Sequence, residues 1–369
     1  MRAGCRSLSG RAGGIKIIGT EGERLNRHMS GKKRIFELLF FAFVTGITLY
    51  VIFHGQDFPA LFAGIRELDL RYLLGAVALG ILFVSMEGIM IWHLLKSMKG
   101  VSSLRQCIGY SFIGFFYSGI TPSATGGQPM QLYYMCRDGN RGADSSVVLM
   151  TVAAFYKFVL VLIGIGTAIV WGRRGREYLS TYEPLFWLGL FLNTALVAMI
   201  VCLMAMPQIM ERTACKVLEF SDRIFGLKNA AVKREKVAGF IRNYKEAASY
   251  LRKNKGILFR ILFLTFLQRG MVFFVTALIY KGYGLAGYSI WHIMALQAAI
   301  YIAVDMLPVP GSQGITEMMY RKVMLPVFGA NYLMPSMIVT RAVNFYILLM
   351  ISLVVVIGQH FVIDRKRDI

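Results

Sequence analysis

Residues 121–127 read TPSATGG and interrupt an apolar run that begins near Leu104. A second interruption, PVPGSQG at residues 308–314, follows an apolar run that begins near Ile290. Proline ends a helix and glycine lets the backbone turn tightly. Because unpaired backbone is too costly against lipid, a break inside an apolar run is expected to face protein or a wet cavity. Each break is therefore predicted to form a re-entrant hairpin; the alternative is an ordinary extramembrane loop between short helices.

The composition around these breaks predicts a membrane protein. The chain has 369 residues, of which 56% are hydrophobic, with a mean hydropathy of +0.56. Soluble domains are about 45–50% apolar, and a spanning helix needs about 20 apolar residues. The sequence thus predicts an all-α polytopic helical bundle of about eight embedded units, two of them the broken hairpins. The six expected full crossings are residues 35–53, 72–95, 147–171, 184–206, 257–281 and 332–359.

The distribution of basic residues predicts the orientation and the domain limits. The net charge is +21, and lysine and arginine near helix ends favour the cytoplasmic side. Residues 1–34 hold nine basic residues against two acidic, and residues 207–256 hold twelve against five. We expect a basic cytoplasmic N-terminus at 1–34, a transmembrane domain at 35–360 with a cytoplasmic segment at 207–256, and a basic cytoplasmic tail at 361–369. In this orientation Arg173, Arg174 and Arg176 lie on the outer side of the membrane, contrary to the rule that basic residues favour the cytoplasmic side.

Two segments of the domain plan carry further expectations. Met29 opens MSGKKRIFELLFFAFV, a short basic lead into a first helix, so translation is expected to start there and residues 1–28 to be spurious or disordered. Segment 207–256 has apolar positions at helical spacing among its basic residues, including Val217, Phe220 and Leu227. It is predicted to be a surface helix on the anionic inner leaflet, with a plain solvated linker as the alternative.

The predicted orientation holds only if the two hairpins enter from opposite sides. The second half of the chain then has the topology of the first half with the opposite orientation in the membrane. This is the inverted-topology repeat of many transporters. A short sequence echo supports the repeat: Met-Glu-Gly at 86–88 corresponds to Gln-Arg-Gly at 268–270. A second echo relates residues 151–157, TVAAFYK, to residues 340–346, TRAVNFY.

Polar groups at the breaks and ionisable residues within apolar runs are the candidate binding residues. Helix N-termini at such breaks attract anions, including a lipid phosphate. A charge in hydrocarbon is expensive and tends to face a bundle interior or cavity; mutual pairing that merely locks the bundle is the alternative. The candidate lipid-binding residues are Glu87, Thr121, Pro122, Ser123, Gly126, Gly127, Gln128, Gln131, Lys157, Arg269, Asp305, Pro308, Gly311, Gly314, Glu317 and Arg341.

Several functional classes lack any signature in the sequence. No GxSxG, HExxH or Walker A motif occurs, so no catalytic residue, metal or cofactor is predicted. The five cysteines are scattered without metal-binding spacing and are expected to be apolar fillers. Nothing resembles a nucleic-acid motif. Without an ATP site, transport would have to run on a gradient or downhill.

At the two breaks the chain resembles the lysylphosphatidylglycerol synthase transmembrane, or flippase-like, family. The resemblance rests on residues 118–131, SGITPSATGGQPMQ, together with residues 308–317, PVPGSQGITE, and covers about residues 30–360. The family usually has Pro-Gly-Gly at the second break, where this chain has Ser312. The resemblance implies the membrane region of the multiple peptide resistance factor, without the soluble domain that transfers lysine from lysyl-tRNA to phosphatidylglycerol.

The resemblance therefore implies a flippase that moves an aminoacylated phospholipid or another lipid-linked headgroup between leaflets. The implied setting is a bacterial plasma membrane with both termini in the cytoplasm, and a role in resistance to cationic antimicrobial peptides. The implied partners are a membrane phospholipid, anionic inner-leaflet lipid, and a separate synthase or a second copy of the chain. The alternatives are a phosphatidylglycerol lysyltransferase, or its accessory subunit, and a membrane scaffold that transports nothing.

Overall fold

The computed structural model describes residues 58–121, 124–172, 175–206, 230–307 and 314–367, which form helices and no strand. Residues Ser180–Tyr182 form a 3-10 turn, and residues Ala342–Tyr346 form a π-helix. The helices are α1 (Phe58–Arg66), α2 (Leu70–Ser97), α3 (Leu104–Ile120), α4 (Gly127–Arg137), α5 (Gly142–Trp171), α6 (Gly175–Leu179), α7 (Glu183–Ala205), α8 (Ala230–Lys253), α9 (Lys255–Gly282), α10 (Ile290–Val304), α11 (Ile315–Val323), α12 (Leu325–Arg341) and α13 (Ile347–Arg367).

Five helical stretches of the described part are long and apolar enough to cross a membrane. They match five of the six predicted full crossings, and the sixth, residues 35–53, lies outside the described residues. The fold is therefore the predicted all-α polytopic membrane bundle. The five stretches are Leu70–Ser97, Gly142–Trp171, Glu183–Met204, Lys255–Gly282 and Leu325–Gln359.

The last crossing differs from the predicted helix at 332–359. It begins seven residues earlier, at Leu325, and the helix continues to Arg367. Gly329 has a φ of 65° and kinks the chain near the start of α12. The apolar pattern did not show the earlier start, because Pro326 and Gly329 interrupt it.

The helices α3 and α4, here called hairpin 1, lie antiparallel. At their open end Tyr110 donates a hydrogen bond of 2.6 Å to the Asp138 carboxylate. Just beyond, the Asn140 amide donates to the Ser102 hydroxyl over 2.6 Å. The chain thus enters and leaves hairpin 1 at one end of the bundle, where α2 ends and α5 begins.

The helices α10 and α11, here called hairpin 2, contact each other at the opposite end of the bundle. Near the start of α10, the His292 ring packs 4.8 Å from the Tyr178 ring and 6.4 Å from the Trp171 ring. The helix α11 also contacts α6, which follows the end of α5. Because α5 has 30 residues and spans about 45 Å, the two hairpins open at opposite ends. The connection at residues 308–313 lies outside the described part.

Two long helices of equal length, α2 and α9, pack against each other at the centre of the bundle. They run antiparallel, because Gly282 lies against Tyr72 at one end and the Thr265 hydroxyl lies 3.2 Å from the Met90 sulfur toward the other. Equivalent helices of two inverted halves are expected to meet in this way across their symmetry axis.

The remaining helix contacts repeat when the two halves are exchanged. Hairpin 1 packs on α2, and hairpin 2 packs on α9. The helix α4 contacts α5, and α11 contacts α12. Each hairpin also contacts the last helix of the other half, α3 touching α13 and α10 touching α5. This exchange of contacts agrees with the predicted inverted repeat.

The helix α8 occupies part of the predicted cytoplasmic segment at 207–256. One of its faces is buried against α5 and includes Ile241, Tyr244 and Leu251, and the Tyr244 hydroxyl lies 3.3 Å from the Met150 sulfur. The segment is therefore not a plain solvated linker over residues 230–253. The positions from Val217 to Leu227, which suggested a surface helix, lie outside the described residues, and the contact with anionic lipid stays a prediction.

Candidate functional site

The tip of hairpin 1 is a tight polar turn organised by Thr121. Its hydroxyl donates to the Tyr117 carbonyl over 2.6 Å and accepts a hydrogen bond of 2.9 Å from the Gly126 amide. Gly127 allows the two helices to touch, because a Cβ there would stand 2.0 Å from the Ser118 hydroxyl oxygen. Thr121, Gly126 and Gly127 thus build the turn itself.

Other predicted residues of the two breaks have different positions. Gln128 is exposed on α4. Gly314 lies at the start of α11, where its amide donates a hydrogen bond of 2.6 Å to the Glu317 carboxylate. Pro122, Ser123, Pro308 and Gly311 lie outside the described residues.

Gln131 joins hairpin 1 to the central helix α2. Its amide nitrogen donates a hydrogen bond of 2.7 Å to the Glu87 carboxylate. Gln131 is only 3% exposed, and its amide lies where a Cβ on Gly114 would be, 2.2 Å from the amide nitrogen. Both Gln131 and Glu87 were predicted site residues, and the structure places them in direct contact.

Lys157 on α5 and Asp305 at the end of α10 form an ion pair across the two halves of the chain. Tyr156 donates a hydrogen bond of 3.3 Å to the same carboxylate. The Tyr156 hydroxyl also shares a hydrogen bond of 2.5 Å with the Tyr301 hydroxyl on α10. Hairpin 2 is thereby fixed to α5 through one charge pair and two phenols.

Arg341 and Glu317 form a second ion pair, with 2.9 Å between Arg341 Nε and Glu317 Oε1. The pair connects the start of α11 in hairpin 2 to the end of α12. Directly after Arg341, the backbone forms the π-helix Ala342–Tyr346, a distortion that is frequent at functional sites.

Arg269 on α9 lies between two aromatic rings in the middle of the bundle. It is 1% exposed, and its guanidinium carbon lies 4.6 Å from the centre of the Phe83 ring and 3.9 Å from the centre of the Tyr156 ring. The Glu87 carboxylate on α2 and the Tyr301 hydroxyl on α10 both lie within electrostatic range of this guanidinium. Arg269 therefore links the polar contacts of hairpin 1 with those of hairpin 2.

The structure thus joins five predicted residues in one central polar chain, with two tyrosines that the sequence analysis did not select. Tyr156 and Tyr301 resemble ordinary aromatic residues of apolar helices, although the position of Tyr156 directly before Lys157 is a signal that could have identified it. The members of the chain, in order, are Gln131, Glu87, Arg269, Tyr301, Tyr156, Asp305 and Lys157.

Comparison with known proteins agrees with this architecture. A curated relative, a UPF0104 membrane protein from Pyrococcus horikoshii, is 25% identical over 291 residues, covering 76% of this chain and 84% of the relative. The sequence model of the family described as the lysylphosphatidylglycerol synthase TM region matches residues 35–352. The match includes both hairpins and every described residue of the central polar chain. The protein therefore belongs to the lysylphosphatidylglycerol synthase transmembrane family.

Proposed function

We propose that the protein moves a phospholipid, or another lipid with a charged headgroup, between the leaflets of a cell membrane. The observation that supports this most is the pair of hairpins that open at opposite ends of one bundle. A headgroup that enters beside hairpin 1 and leaves beside hairpin 2 would cross the apolar layer without facing hydrocarbon. Transporters with inverted repeats bind their substrates near such interrupted helices.

The central polar chain supports the same proposal. Charged residues inside apolar helices are expensive, and they usually mark a substrate or ion pathway. In this protein they connect Gln131 of hairpin 1 to Asp305 of hairpin 2. A movement of one hairpin would therefore change the polar contacts of the other, as alternating access requires.

The Arg341–Glu317 pair suggests how hairpin 2 is held closed. The Glu317 carboxylate accepts a hydrogen bond from the Gly314 amide and forms an ion pair with Arg341. One carboxylate therefore stabilises both the start of α11 and its attachment to α12. Opening of hairpin 2 would separate this pair. The adjacent π-helix offers a place where the last crossing can change its winding.

Purified protein in vesicles of phosphatidylcholine and phosphatidylglycerol, with a fluorescent phosphatidylglycerol, tests the proposal. Reduction of the outer-leaflet fluorophore by dithionite should bleach more than half of the signal when the protein carries lipid across. Glu317→Gln should slow this exchange, because alternating access needs the closed state of hairpin 2 that the Glu317–Arg341 pair stabilises. Glu246→Gln, which changes an exposed carboxylate on α8, is the control and should exchange lipid at the rate of the original protein.

Bleaching limited to the outer leaflet with well-folded protein would contradict lipid movement and favour a scaffold. A parallel incubation with phosphatidylglycerol and lysyl-tRNA tests the transferase alternative. Formation of lysyl-lipid by the chain alone would replace the proposal with an enzymatic function.

A further inference from the structure

Arg269 differs in its surroundings from Lys157 and Arg341, the two half-buried cations inside the bundle. Lys157 pairs with Asp305, and Arg341 pairs with Glu317. Arg269 belongs to none of the ion pairs among the described residues. Its Nε and Nη1 atoms also have no hydrogen-bond partner among these residues. A buried guanidinium without a paired anion is costly, so its retention at the centre of the bundle requires an explanation.

Neighbouring groups compensate this charge only in part. The faces of Phe83 and Tyr156 attract the cation, but aromatic rings contact the flat faces of a guanidinium, and the Nε and Nη1 donors at its edge have no acceptor. Glu87 acts on Arg269 from a distance, while its carboxylate accepts the hydrogen bond from Gln131. The Nε and Nη1 donors are therefore available to an acceptor from outside the protein.

Two tyrosine hydroxyls lie close to the Arg269 guanidinium. The Tyr156 ring lies against the guanidinium, and its hydroxyl shares a hydrogen bond with that of Tyr301, which is also close enough to interact with Arg269. A phenol donates to an oxyanion as readily as to another phenol, and arginine binds phosphate oxygens through paired N–H donors. The three side chains together offer donors to one oxyanion.

We propose that Arg269, Tyr156 and Tyr301 form a buried subsite for a single oxyanion, and that this anion is the phosphodiester of the transported lipid. The identification with a lipid rests on the proposed function, whereas the anion subsite does not. Arg269 is fully buried and belongs to none of the ion pairs of the described residues, so the subsite offers one positive charge to a bound anion. A lipid with one phosphodiester fits this charge better than a lipid with a diphosphate.

The subsite is closed in this structure, because Arg269 is 1% exposed. Tyr301 belongs to hairpin 2, and Asp305 and Lys157 fix the same helix to α5. An anion can reach Arg269 only when a neighbouring helix moves, and α10 is the helix that carries a ligand of the subsite. Binding and movement of hairpin 2 are then coupled.

Thermal unfolding of the purified protein in a non-ionic detergent tests the subsite with three probes. Dihexanoylphosphatidylglycerol carries the phosphodiester, dihexanoylglycerol has the same chains without phosphate, and inorganic phosphate has no chains. We expect the first probe to raise the midpoint and the second to leave it unchanged. A rise with dihexanoylglycerol equal to that with the phospholipid would overturn the anion subsite. A rise with inorganic phosphate alone would show that the ligand is a free anion and overturn its identification as a lipid.

Variants then assign the effect to Arg269. Arg269→Gln should bind dihexanoylphosphatidylglycerol about tenfold more weakly or worse, since one charge-assisted contact is lost. Tyr301→Phe should weaken binding less, and Arg71→Gln, an exposed arginine on α2, should leave it unchanged. Unchanged binding by Arg269→Gln would refute the subsite.

A stability measurement separates ligand binding from a structural role. If Arg269 lacks a paired anion in the resting protein, Arg269→Gln should unfold at or above the midpoint of the original protein without ligand. A midpoint well below it would mean that Arg269 serves the bundle itself, and would contradict the proposal. In the vesicle assay, lipid exchange by Arg269→Gln at the original rate would overturn the subsite and leave the proposed function intact. Anion binding by a protein that exchanges no lipid would overturn the proposed function and leave the anion subsite intact.

Discussion

Gln131 of hairpin 1 donates a hydrogen bond of 2.7 Å to the Glu87 carboxylate on α2; Gln131 is buried and Glu87 is half-buried. The pair attaches the short helix α4 to the central helix α2. A carboxylate inside the bundle that loses its donor keeps the cost of its desolvation, so this single contact is expected to matter for stability.

Gln131→Leu should therefore lower the free energy of unfolding by about 1–3 kcal/mol, because it removes the donor and leaves Glu87 unsatisfied. Gln128→Leu, on the same short helix but exposed, should stay within about 0.5 kcal/mol of the original protein. Thermal unfolding of both variants in detergent measures the difference. Equal midpoints would show that the hydrogen bond contributes nothing.

Gly114→Ala should disturb the same contact from the opposite helix. Its Cβ would stand 2.2 Å from the Gln131 amide nitrogen, so the Gln131 side chain would have to leave its contact with Glu87, or hairpin 1 would have to shift, at a cost of about 1–3 kcal/mol. Gly166→Ala is the matched control, because it lies within α5 and a Cβ there meets no atom within 4 Å. It should be neutral or stabilising by up to about 1 kcal/mol, since alanine favours helix.

The same unfolding assay compares the two glycine variants, and lipid exchange in vesicles reports whether the shifted hairpin still works. If Gly114→Ala and Gly166→Ala had the same unfolding midpoint, the antiparallel packing of α3 on α4 would be looser than the structure shows.

The positions of both breaks, and most helix limits, could be predicted because they depend on local properties. Proline, glycine and the length of an apolar run act within a few residues. The partner of Lys157 could not be predicted, since Asp305 is 148 residues away and reaches it only through packing of hairpin 2 on α5. The π-helix after Arg341 has no sequence signal of comparable strength.

The Lys157–Asp305 pair allows a test of coupling between the two halves. Lys157→Met leaves a buried carboxylate without its cation and should cost about 3–5 kcal/mol. Asp305→Asn, which leaves the cation without its carboxylate, should also be destabilising. The double variant should be more stable than the sum of the two single changes predicts, because neither charge is left alone.

A double-mutant cycle of unfolding free energies measures this interaction, and Lys281→Met, at the end of α9, serves as the control for loss of a lysine near the membrane surface. Additive effects of the two changes would show that the ion pair does not connect the halves, whatever the single variants do.

Ala124 offers a prediction of the opposite sign at the tip of hairpin 1. It has a φ of 54°, a conformation that costs a residue with a Cβ about 1–2 kcal/mol and costs glycine almost nothing. Ala124→Gly should therefore stabilise the protein by a fraction of that amount, because the greater freedom of glycine in the unfolded chain offsets part of the gain. Ala168→Gly, inside α5, should instead destabilise by about 1 kcal/mol. If Ala124→Gly destabilised the protein as Ala168→Gly does, the positive φ of Ala124 would not be a source of strain in the turn.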